Sequence, residues 1–470
     1  MKTSDINDII ELFEQHFNEL LDSIALLPLS GSYREYCKVR NYGHSAVGAF
    51  NADIKENAAF ISFTKHFHSQ GLPVPKIYEV SSDQKKYLLE DLGETTLFDF
   101  IVEEREKEGF SEKIISEYKK VLKILPKFQV VAGKDLDYSV CYPRAAFDSQ
   151  SMMWDLNYFK YYFLKLAQIP FDEQALEDDF NEFINYLLSA DSEYFMFRDL
   201  QSRNIMLKNN VTYFIDYQGG RRGALQYDLA SLLYDSKANI PEHVRKELFD
   251  FYLKELQEYF PVDVNEFSTY FKGFVLIRIM QAMGAYGFRG FYEKKEHFLK
   301  SIPYALDNLK SLLDDLDLPI HLPELTRVLQ SLAESEVLKN IGVLTVSISS
   351  FSYKKGIPED SSGNGGGFVF DCRALNNPGR YNEYKDLTGI DLKVQNFLEE
   401  NSEIDAFMNS IKALVEQSIN VYIERGFTNL SVNFGCTGGR HRSVYSAEKL
   451  AEHLRNSFPI NVVVFHRDLD

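Results

Sequence analysis

The amino-acid sequence predicts an α+β protein in which a small β lobe precedes a large α lobe and a separate α/β domain follows. The β lobe is predicted because residues 27–51 and 74–92 form short runs broken by turn residues, a pattern typical of antiparallel strands. The α lobe is predicted because residues 93–330 show mostly helical periodicity. Beyond Ile341 strand and helix patterns alternate again, which indicates a further domain.

Two helices are expected within the β lobe, and one β-like region within the α lobe. Residues 4–26 carry apolar side chains at helical spacing and predict one amphipathic helix. Residues 54–70 predict a second helix, which the run Gly71-Leu72-Pro73 ends. A compact β-like region is expected between residues 194 and 216 of the α lobe.

Domain limits are expected where these patterns change. A chain of 470 residues exceeds what one hydrophobic core usually supports, which favours two or three domains. The predicted division is a β lobe at 1–93, a helical lobe at 94–330, a linker at 331–338 and a C-terminal domain at 339–470. The glycine-rich run at 361–367 is expected to form a flexible loop rather than a phosphate cradle.

Composition and charge restrict the classes of function. The formal net charge of -18 disfavours non-specific binding to nucleic acid or anionic membranes, so any anion site has to be local. Four scattered cysteines indicate a reducing compartment rather than a disulfide framework. The polar residues 1–5 lack the pattern of a signal peptide, and no apolar run reaches the ~20 residues of a membrane-spanning helix. We therefore expect a cytoplasmic protein.

A candidate catalytic loop lies in the α lobe, in the run Phe197-Arg198-Asp199-Leu200-Gln201-Ser202-Arg203-Asn204. An apolar strand and then Asp216 follow it. Phosphoryl transfer needs a carboxylate to orient and deprotonate the attacking hydroxyl, and oxygen ligands to hold Mg²⁺ against the phosphates. Asp199 fits the first role, and Asn204 with Asp216 fits the second. The alternative is that Asp199 and Asn204 merely cap a turn.

The surroundings of this loop resemble the aminoglycoside phosphotransferase and choline kinase superfamily, from about residue 25 to residue 330. The resemblance is closest to bacterial anomeric sugar kinases, which phosphorylate N-acetylmuramate and N-acetylglucosamine in cell-wall recycling. Besides the loop, the shared runs are Ile215-Asp216-Tyr217-Gln218, Gly223 and Tyr227-Asp228-Leu229-Ala230-Ser231-Leu232-Leu233. The resemblance implies a bilobal protein-kinase-like fold and an ATP- and Mg²⁺-dependent kinase that acts on an amino sugar.

The same resemblance assigns roles to single residues. It implies that Asp199 is the catalytic base beside Arg198, and that Asp228 braces the catalytic loop. It also implies that Asn204 and Asp216 bind Mg²⁺. The residues implied for ATP binding are Ser30, Gly31, Ser32 and Arg34 in a turn that covers the phosphates, and Glu90, Asp91 and Leu92 in a hinge whose backbone reads adenine.

Two positions depart from the superfamily pattern. Phe197 replaces the histidine that often precedes the Arg-Asp pair, and the third strand, residues 45–50, has no ATP-pairing lysine. Arg34 or Lys38 could take the place of that lysine with Glu56 as partner, although either could equally be a solvated surface charge.

The acceptor pocket is less well defined by the sequence. Arg144, Trp154, Asp155 and Tyr158 form an aromatic, polar segment that could flank a sugar ring. Core packing is the favoured interpretation, because aromatic side chains at helical spacing usually bury a large area. Choline-like and aminoglycoside acceptors remain alternatives.

A second candidate site lies in the C-terminal domain, where residues 430–434 predict a strand, 435–442 a loop and 443–454 a helix. Glycines let backbone N–H groups converge and the helix N-terminus adds positive potential, so this layout predicts an anion site. The candidate residues are Cys436, Thr437, Gly438, Gly439, Arg440, His441, Arg442, Ser443, His466 and Arg467.

This domain resembles the C-terminal domain of the RNase adapter protein RapZ over residues 339–470. The shared runs are Ser350-Phe351-Ser352-Tyr353-Lys354-Lys355-Gly356-Ile357-Pro358, Phe370-Asp371-Cys372-Arg373, Asn377-Pro378, Leu387-Thr388-Gly389, Gly435-Cys436-Thr437-Gly438-Gly439-Arg440-His441-Arg442-Ser443-Val444 and His466-Arg467-Asp468. The resemblance implies a domain that senses a phosphosugar, glucosamine 6-phosphate. RNA binding is possible but not favoured, because the phosphotransferase-like unit replaces the P-loop kinase domain that normally precedes this domain.

Two alternatives stay open. The loop from Cys436 to Ser443 also satisfies the Cys-x-x-Gly-x-x-Arg-Ser order of cysteine-dependent phosphatases, in which a thiolate attacks phosphorus. The second alternative is a non-catalytic adapter that binds RNA or protein through the C-terminal domain, and the missing third-strand lysine supports it. The joint presence of Asp199, Asn204 and Asp216 supports the kinase instead.

Overall fold

The chain forms two compact units in a computed structural model that describes residues 1–28, 34–359 and 366–469. The first unit contains Met1–Phe288 and Tyr304–Glu334, and the second contains Arg289–Pro303 and Ser335–Asp470. The domain limits derived from the sequence stay a prediction. Among the described residues, no helix is long and apolar enough to cross a membrane. All four cysteines are free thiols.

Helices dominate the first unit, and strands alternate with helices in the second. The helices are α1 Thr3–Phe17, α2 Ile54–Ser69, α3 Leu97–Glu108, α4 Glu112–Pro126, α5 Ser149–Phe159, α6 Glu173–Leu188, α7 Leu225–Leu233, α8 Glu242–Gln257, α9 Val264–Tyr286, α10 Glu296–Leu299, α11 Ile302–Leu313, α12 Pro323–Ala333, α13 Glu336–Lys339, α14 Leu392–Asn401, α15 Ile404–Arg425 and α16 Arg442–Ser457. The strands are β1 Ser23–Leu26, β2 Glu35–Arg40, β3 Ser45–Phe50, β4 Ile77–Val80, β5 Lys86–Glu90, β6 Tyr194–Met196, β7 Ile205–Lys208, β8 Val211–Phe214, β9 Arg221–Gly223, β10 Thr345–Ser352, β11 Phe368–Asp371, β12 Asn429–Cys436 and β13 Asn461–His466.

An antiparallel sheet of five strands, in the order β1-β2-β3-β5-β4, forms the β lobe of the first unit. Helix α2 follows β3, and the Asp53 side chain caps it by accepting hydrogen bonds from the backbone N–H groups of Lys55 and Glu56. The apolar face of α1 covers the sheet through Ile9 and Phe13, both fully buried. The sheet and α2 thus form the framework that carries β2 and the segment after β5.

The N-terminal helix is shorter than the sequence predicts. It ends at Phe17, where Asn18 adopts the left-handed conformation with φ of 52°. Residues 23–26 then pair with β2 as an antiparallel edge strand. The prediction of one helix over 4–26 is therefore wrong beyond Phe17, because strand pairing outweighs the helical spacing of the apolar residues.

Two short antiparallel pairs interrupt the helical lobe at the predicted β-like region. Strand β6 pairs with β9, and β7 forms a hairpin with β8. The candidate catalytic loop joins β6 to β7, and Asp216 lies just after β8. One small region of the helical lobe therefore carries Asp199, Asn204 and Asp216.

The second unit contains a parallel four-stranded sheet in the order β11-β12-β10-β13. Val346 and Ile348 of β10, Val432 of β12 and Leu450 of α16 belong to its buried core. The glycine loop follows the carboxyl end of β12 and leads into α16. The predicted order of a small β lobe, a larger helical lobe and a further α/β domain is confirmed.

Candidate active site

A buried carboxylate holds the backbone of the candidate catalytic loop. Asp228 of α7 is fully buried, and it accepts hydrogen bonds from the backbone N–H groups of Phe197 at 2.9 Å and Arg198 at 3.2 Å. Gln129 Nε2 donates to the same carboxylate at 3.3 Å. Burial raises the pKa of Asp228 to about 7, although these backbone N–H groups oppose the increase. Helix α7 thereby sets the position of the loop.

Asp199 projects from this loop with 48% of its side chain exposed. Its Oδ1 atom accepts hydrogen bonds from Gln201 Nε2 and, at 3.1 Å, from Arg278 Nη2 of α9. No local sequence motif indicates Arg278, because it lies 79 residues away along the chain. The arrangement presents an oriented, accessible carboxylate, as a general base requires.

Asn204 and Asp216 meet beside Asp199. Asn204 Nδ2 donates to the Asp199 carbonyl oxygen at 2.8 Å and to Asp216 Oδ2 at 3.2 Å. Gln218 Nε2 donates to Asp216 Oδ1 at 2.6 Å. Because the Asn204 amide nitrogen is committed to these bonds, its Oδ1 atom is the one available to a cation.

The electrostatics at Asp216 fit a bound cation. Burial raises the pKa of Asp216 and the nearby Asp199 raises it further, whereas Gln218 and Arg34 oppose the increase. A divalent cation would remove this mutual repulsion of carboxylates. Within residues 1–28, 34–359 and 366–469, no cluster of three or more His, Cys, Asp or Glu could hold a metal ion. A cation between Asn204 and Asp216 would therefore depend on water and phosphate oxygens, which suits Mg²⁺.

Arg34 is one of the two candidates to replace the missing third-strand lysine. It is 3% exposed immediately before β2, and its Nη2 atom lies 2.8 Å from Glu56 Oε1 of α2. Asn51 Nδ2 donates to the other Glu56 oxygen at 3.0 Å. Lys38 instead pairs with Asp91 and Glu94, both at 3.1 Å. Of the two candidates only Arg34 forms the expected pair with Glu56.

The candidate hinge is held by ionic contacts of its own. Lys208 Nζ donates to Glu90 Oε1 and to the Asp91 carbonyl oxygen, both at 2.8 Å. Ser45 Oγ donates to Asp91 Oδ2 at 2.5 Å, and Leu92 is buried. The side chains of Glu90 and Asp91 therefore serve to fix the hinge.

Two predicted loops lie outside the described residues. They are the candidate turn residues Ser30, Gly31 and Ser32, and most of the glycine-rich run at 361–367.

Arg198 connects the loop to Asp155 in the candidate acceptor segment of α5. It adopts φ of 78°, contacts Tyr227 OH, and donates to Asp155 Oδ1 at 2.5 Å. Asp155 is 7% exposed, and its Oδ2 atom is buried without a hydrogen-bond partner among the described residues. Trp154 is 46% exposed, so the favoured prediction of core packing is wrong for it. The reason is that α5 turns Asp155 inward, which leaves the neighbouring indole outside the core.

A close approach of backbone shapes the glycine loop of the second unit. Gly439 adopts φ of 68°, and a Cβ there would lie 2.9 Å from Ser352 N. Its N–H donates to Cys436 Sγ at 3.2 Å, and Ser443 Oγ lies 3.1 Å from the same sulfur. Glycine is required at this position because a side chain would collide with β10.

The basic residues of this loop hold neighbouring segments by donating to backbone carbonyl oxygens, because the loop is packed against those segments. The bonds are from Arg440 to Asp386 and Leu387 at 3.0 and 3.1 Å, from His441 to Tyr384 at 2.9 Å, and from Arg442 Nη1 to Arg373 and Leu375 at 3.0 and 2.9 Å. Their role at an anion site stays a prediction.

A cavity of about 780 Å³ opens beside the loop. It is lined by Arg373, Ala374, Leu375, Asn376, Asn377, Arg380, Glu400, Asn401, Ser402, Glu403, Thr437 and Arg442. Of the predicted anion-site residues, Thr437 and Arg442 line it. The Nε atom of Arg442 is buried and has no hydrogen-bond partner among the described residues. Both cationic and anionic side chains therefore surround one cavity.

His466 and Arg467, which the sequence gives as candidates for the same anion site, do not line this cavity. His466 contacts Ser350 Oγ and Glu448 Oε1, both at 2.9 Å. Arg467 donates to the carbonyl oxygens of Ser352 and Gly356. Both side chains thus tie the end of β13 to neighbouring segments.

Two protein-family models match the chain. The phosphotransferase enzyme family matches residues 52–262. The RapZ C-terminal domain matches residues 344–470. The first match includes the candidate catalytic loop and the second includes the glycine loop.

The similar curated proteins match part of the chain. A nucleotide-binding protein of Thermotoga neapolitana is 37% identical over 142 residues, which cover 30% of this chain and 48% of that protein. One of Staphylococcus epidermidis is 36% identical over 179 residues, which cover 37% of this chain and 54% of that protein. The chain thus spans about half the length of these curated relatives.

Solved structures of kinases resemble the chain more distantly. Choline kinase from Cryptosporidium parvum has 12% identity and a TM-score of 0.47, covering 69% of this chain and 99% of that one. Plasmodium vivax ethanolamine kinase has 14% identity and a TM-score of 0.45, covering 62% of this chain and 82% of that one.

Proposed function

We propose that this chain is an amino-sugar kinase with a phosphosugar-sensing domain, because residues 52–262 match the phosphotransferase enzyme family and residues 344–470 match the RapZ C-terminal domain. The first unit transfers the γ-phosphoryl group of ATP to the anomeric hydroxyl of a sugar of the N-acetylmuramate or N-acetylglucosamine type. The observation that carries the proposal is the Asn204 amide, which joins the Asp199 backbone to the Asp216 carboxylate. That bridge brings a base and two oxygen ligands to one point.

In the proposed mechanism Asp199 orients the acceptor hydroxyl and accepts its proton as the oxygen attacks the γ-phosphorus. Asp216 and the Oδ1 atom of Asn204 would hold Mg²⁺, which would supply positive charge to neutralise the phosphates. Arg34, held by Glu56, replaces the usual lysine beside the phosphates. The exposed side chain of Asp199 leaves it accessible to an acceptor.

ATP binding is proposed at the candidate hinge, residues 90–92. Backbone groups of residues 90–92 read the adenine edge, while the ionic contacts of Glu90 and Asp91 keep the hinge in place. A cytoplasmic location stays a prediction.

The acceptor side suits a sugar better than a cation such as choline. Asp155 Oδ2 is a buried acceptor without a partner among the described residues, and a sugar hydroxyl or amide N–H could satisfy it. Trp154 exposes an aromatic ring on the same helix, one residue away. Arg198 already compensates the Asp155 charge, which removes the negative potential that a choline cation needs.

The second unit is proposed to bind a phosphosugar in its cavity. Arg442 and Arg373 supply positive charge for the phosphate, and Glu400 and Glu403 line the same cavity. A ligand with a phosphate and a free amino group would complement both sets of charges. Glucosamine 6-phosphate has this chemistry. Neither RNA nor a phosphatase reaction is needed to explain the cavity.

The kinase proposal is tested by ADP release with ATP and Mg²⁺ across N-acetylmuramate, N-acetylglucosamine, glucosamine, choline and an aminoglycoside. We expect turnover on an amino sugar, and a loss of about 10²- to 10⁴-fold in Asp199→Asn. Asp263→Asn is the matched control, because Asp263 only caps α9. Fluorescence of Trp154, the single tryptophan, reports acceptor binding separately from turnover. Turnover on choline alone, or none that depends on an acceptor, would contradict the proposal.

A further inference from the structure

Arg278 is a buried cation in direct contact with Asp199 that the proposed mechanism does not use. It is 6% exposed on α9, and each of its three nitrogen atoms has a partner. Nε donates to Ser231 Oγ at 2.8 Å, Nη1 donates to Gln281 Oε1, and Nη2 donates to Asp199 Oδ1 at 3.1 Å. Three partners in three directions fix the plane of the guanidinium group.

Helix α7 links this arginine to the catalytic loop. Ser231 lies three residues after Asp228, so both project from the same face of α7. Asp228 holds the loop backbone at Phe197 and Arg198. Ser231 holds Arg278, which in turn holds the Asp199 side chain. One helix therefore positions both the backbone and the carboxylate of the loop.

The two donors to Asp199 reach the same oxygen atom. Gln201 Nε2 and Arg278 Nη2 both donate to Oδ1. Among the residues that the structure describes, no donor contacts Oδ2. Two strong donors on one oxygen prevent the carboxylate from rotating freely, and they leave the other oxygen available.

We propose that Arg278 is a positioning residue that reserves Oδ2 of Asp199 as the atom that accepts the acceptor's proton. The inference rests on the proposed kinase function. In the transfer step the acceptor O–H bond breaks and its proton moves to Oδ2. The acceptor oxygen forms a bond to the γ-phosphorus, and the bond from that phosphorus to the bridging oxygen breaks, its electron pair leaving on ADP. Arg278 stays on Oδ1 and touches no reacting atom.

The test compares Arg278→Gln and Arg278→Lys with the control Arg245→Gln in the full chain. Arg245 is an arginine of α8 that binds Asn308 Oδ1 and lies over the ring of Tyr234, away from Asp199. The measurements are kcat and KM for ATP and for each amino sugar, the thermal unfolding midpoint, and acceptor binding by tryptophan fluorescence. The last two do not require turnover, so they reveal a variant that fails to fold.

For Arg278→Gln we expect kcat to fall about 100-fold, because a misplaced base costs about that much. Acceptor binding and both KM values should stay close to wild type. Arg278→Lys should recover part of kcat, since an ammonium group can still donate to Oδ1. Arg245→Gln should keep its kcat even if its unfolding midpoint falls.

Several outcomes would overturn the inference. A wild-type kcat in Arg278→Gln would show that Oδ2 needs no such positioning. A rise in the acceptor KM at unchanged kcat would make Arg278 a binding residue, and an equal kcat loss in Arg245→Gln would make the effect general destabilisation. The role would also be structural if Arg278→Gln did not fold and Arg278→Lys were no more active than Asp199→Asn. Absence of turnover by the wild type on every acceptor would refute the proposed function itself, and the inference with it.

Discussion

The two candidate sites use charged side chains in opposite ways. In the first unit, Asp199 and Asp228 receive hydrogen bonds from a guanidinium group, amides and backbone N–H groups. In the second unit, Arg440, His441 and Arg442 donate to backbone carbonyl oxygens, and none of them pairs with a carboxylate of the described residues. Hydrogen-bond donors therefore fix Asp199 and Asp228 in the first site, whereas the second site leaves the positive charge of these three residues without a carboxylate partner among the described residues.

This difference shows that a basic side chain can hold a loop and still contribute to an anion site. A carbonyl oxygen is only partly negative, so the net charge of each arginine remains and creates a positive potential over the nearby cavity. The first site instead needs its carboxylates fixed in position, because proton transfer depends on geometry. Changes to the first site should therefore act on turnover, and changes to the second on ligand affinity.

After Asp199→Asn, the largest effect on turnover is expected from Asp228→Asn. The amide would place an NH₂ group against one of the backbone N–H donors of Phe197 and Arg198, and the loop would lose that bond. We expect kcat to fall about 100-fold, with ligand binding by the second unit unchanged. Kinetics and calorimetry on the full chain measure both, and Asp263→Asn again serves as the control. Weaker binding of glucosamine 6-phosphate in this variant would contradict the separation of the two sites.

The same variant has a signature in the pH dependence of stability. The pKa of Asp228 in the folded chain is about 7, above its ordinary value of 3.8. A raised pKa stabilises the folded state fully below the ordinary value, and the stabilisation is lost as the pH rises through about 7. The wild-type unfolding midpoint should therefore decrease as the pH rises from about 4 to about 7 and this stabilisation is lost. Asp228→Asn has no carboxyl group at this position, so its midpoint should not show that decrease. A variant with the same pH dependence as wild type would contradict the assignment.

An intermediate effect is expected from Arg442→Met. Loss of charge-assisted hydrogen bonds costs about 1.5 to 3 kcal/mol, which corresponds to a rise of roughly 10- to 150-fold in the Kd for glucosamine 6-phosphate. Titration calorimetry measures the Kd, and kcat of the kinase should not change. Arg455→Met is the matched control, because Arg455 lies on the same helix, is exposed and does not line the cavity. If both variants lost the same affinity for glucosamine 6-phosphate, the effect would come from the overall charge of the protein and not from Arg442.

Local motifs of the sequence predicted the centre of the first site but not its supports. The spacing of Asp199, Asn204 and Asp216 was sufficient to place them together, because one loop and one hairpin carry all three. Arg278 and Asp155 come from other helices, and their contacts depend on how helices pack, which periodicity does not determine. The roles of all these residues stay proposals.

In the second unit the sequence predicted the strand, the glycine loop and the helix, but not the direction of the side chains. The loop packs against residues 384–387, and this contact turns Arg440 and His441 toward carbonyl oxygens. The acidic lining at Glu400 and Glu403 carries no local motif. Such residues could be found only once the chain had folded around the cavity.

The smallest effect is expected from His441→Gln, and it appears only as a pH dependence. Burial lowers the pKa of His441 below its ordinary value, and the positive charges of Arg440 and Arg442 lower it further. Hydrogen bonds to Tyr384 and Leu387 oppose this decrease in the pKa. A lowered pKa means that the folded chain favours the neutral ring, so this stabilisation is present above about pH 6.5 and is lost as the pH falls through the folded pKa. The unfolding midpoint of the second unit should therefore fall on acidification from pH 7 to pH 5 less steeply in His441→Gln than in wild type. An equally steep decrease would show that His441 does not titrate on unfolding and serves only to hold the segment at Tyr384.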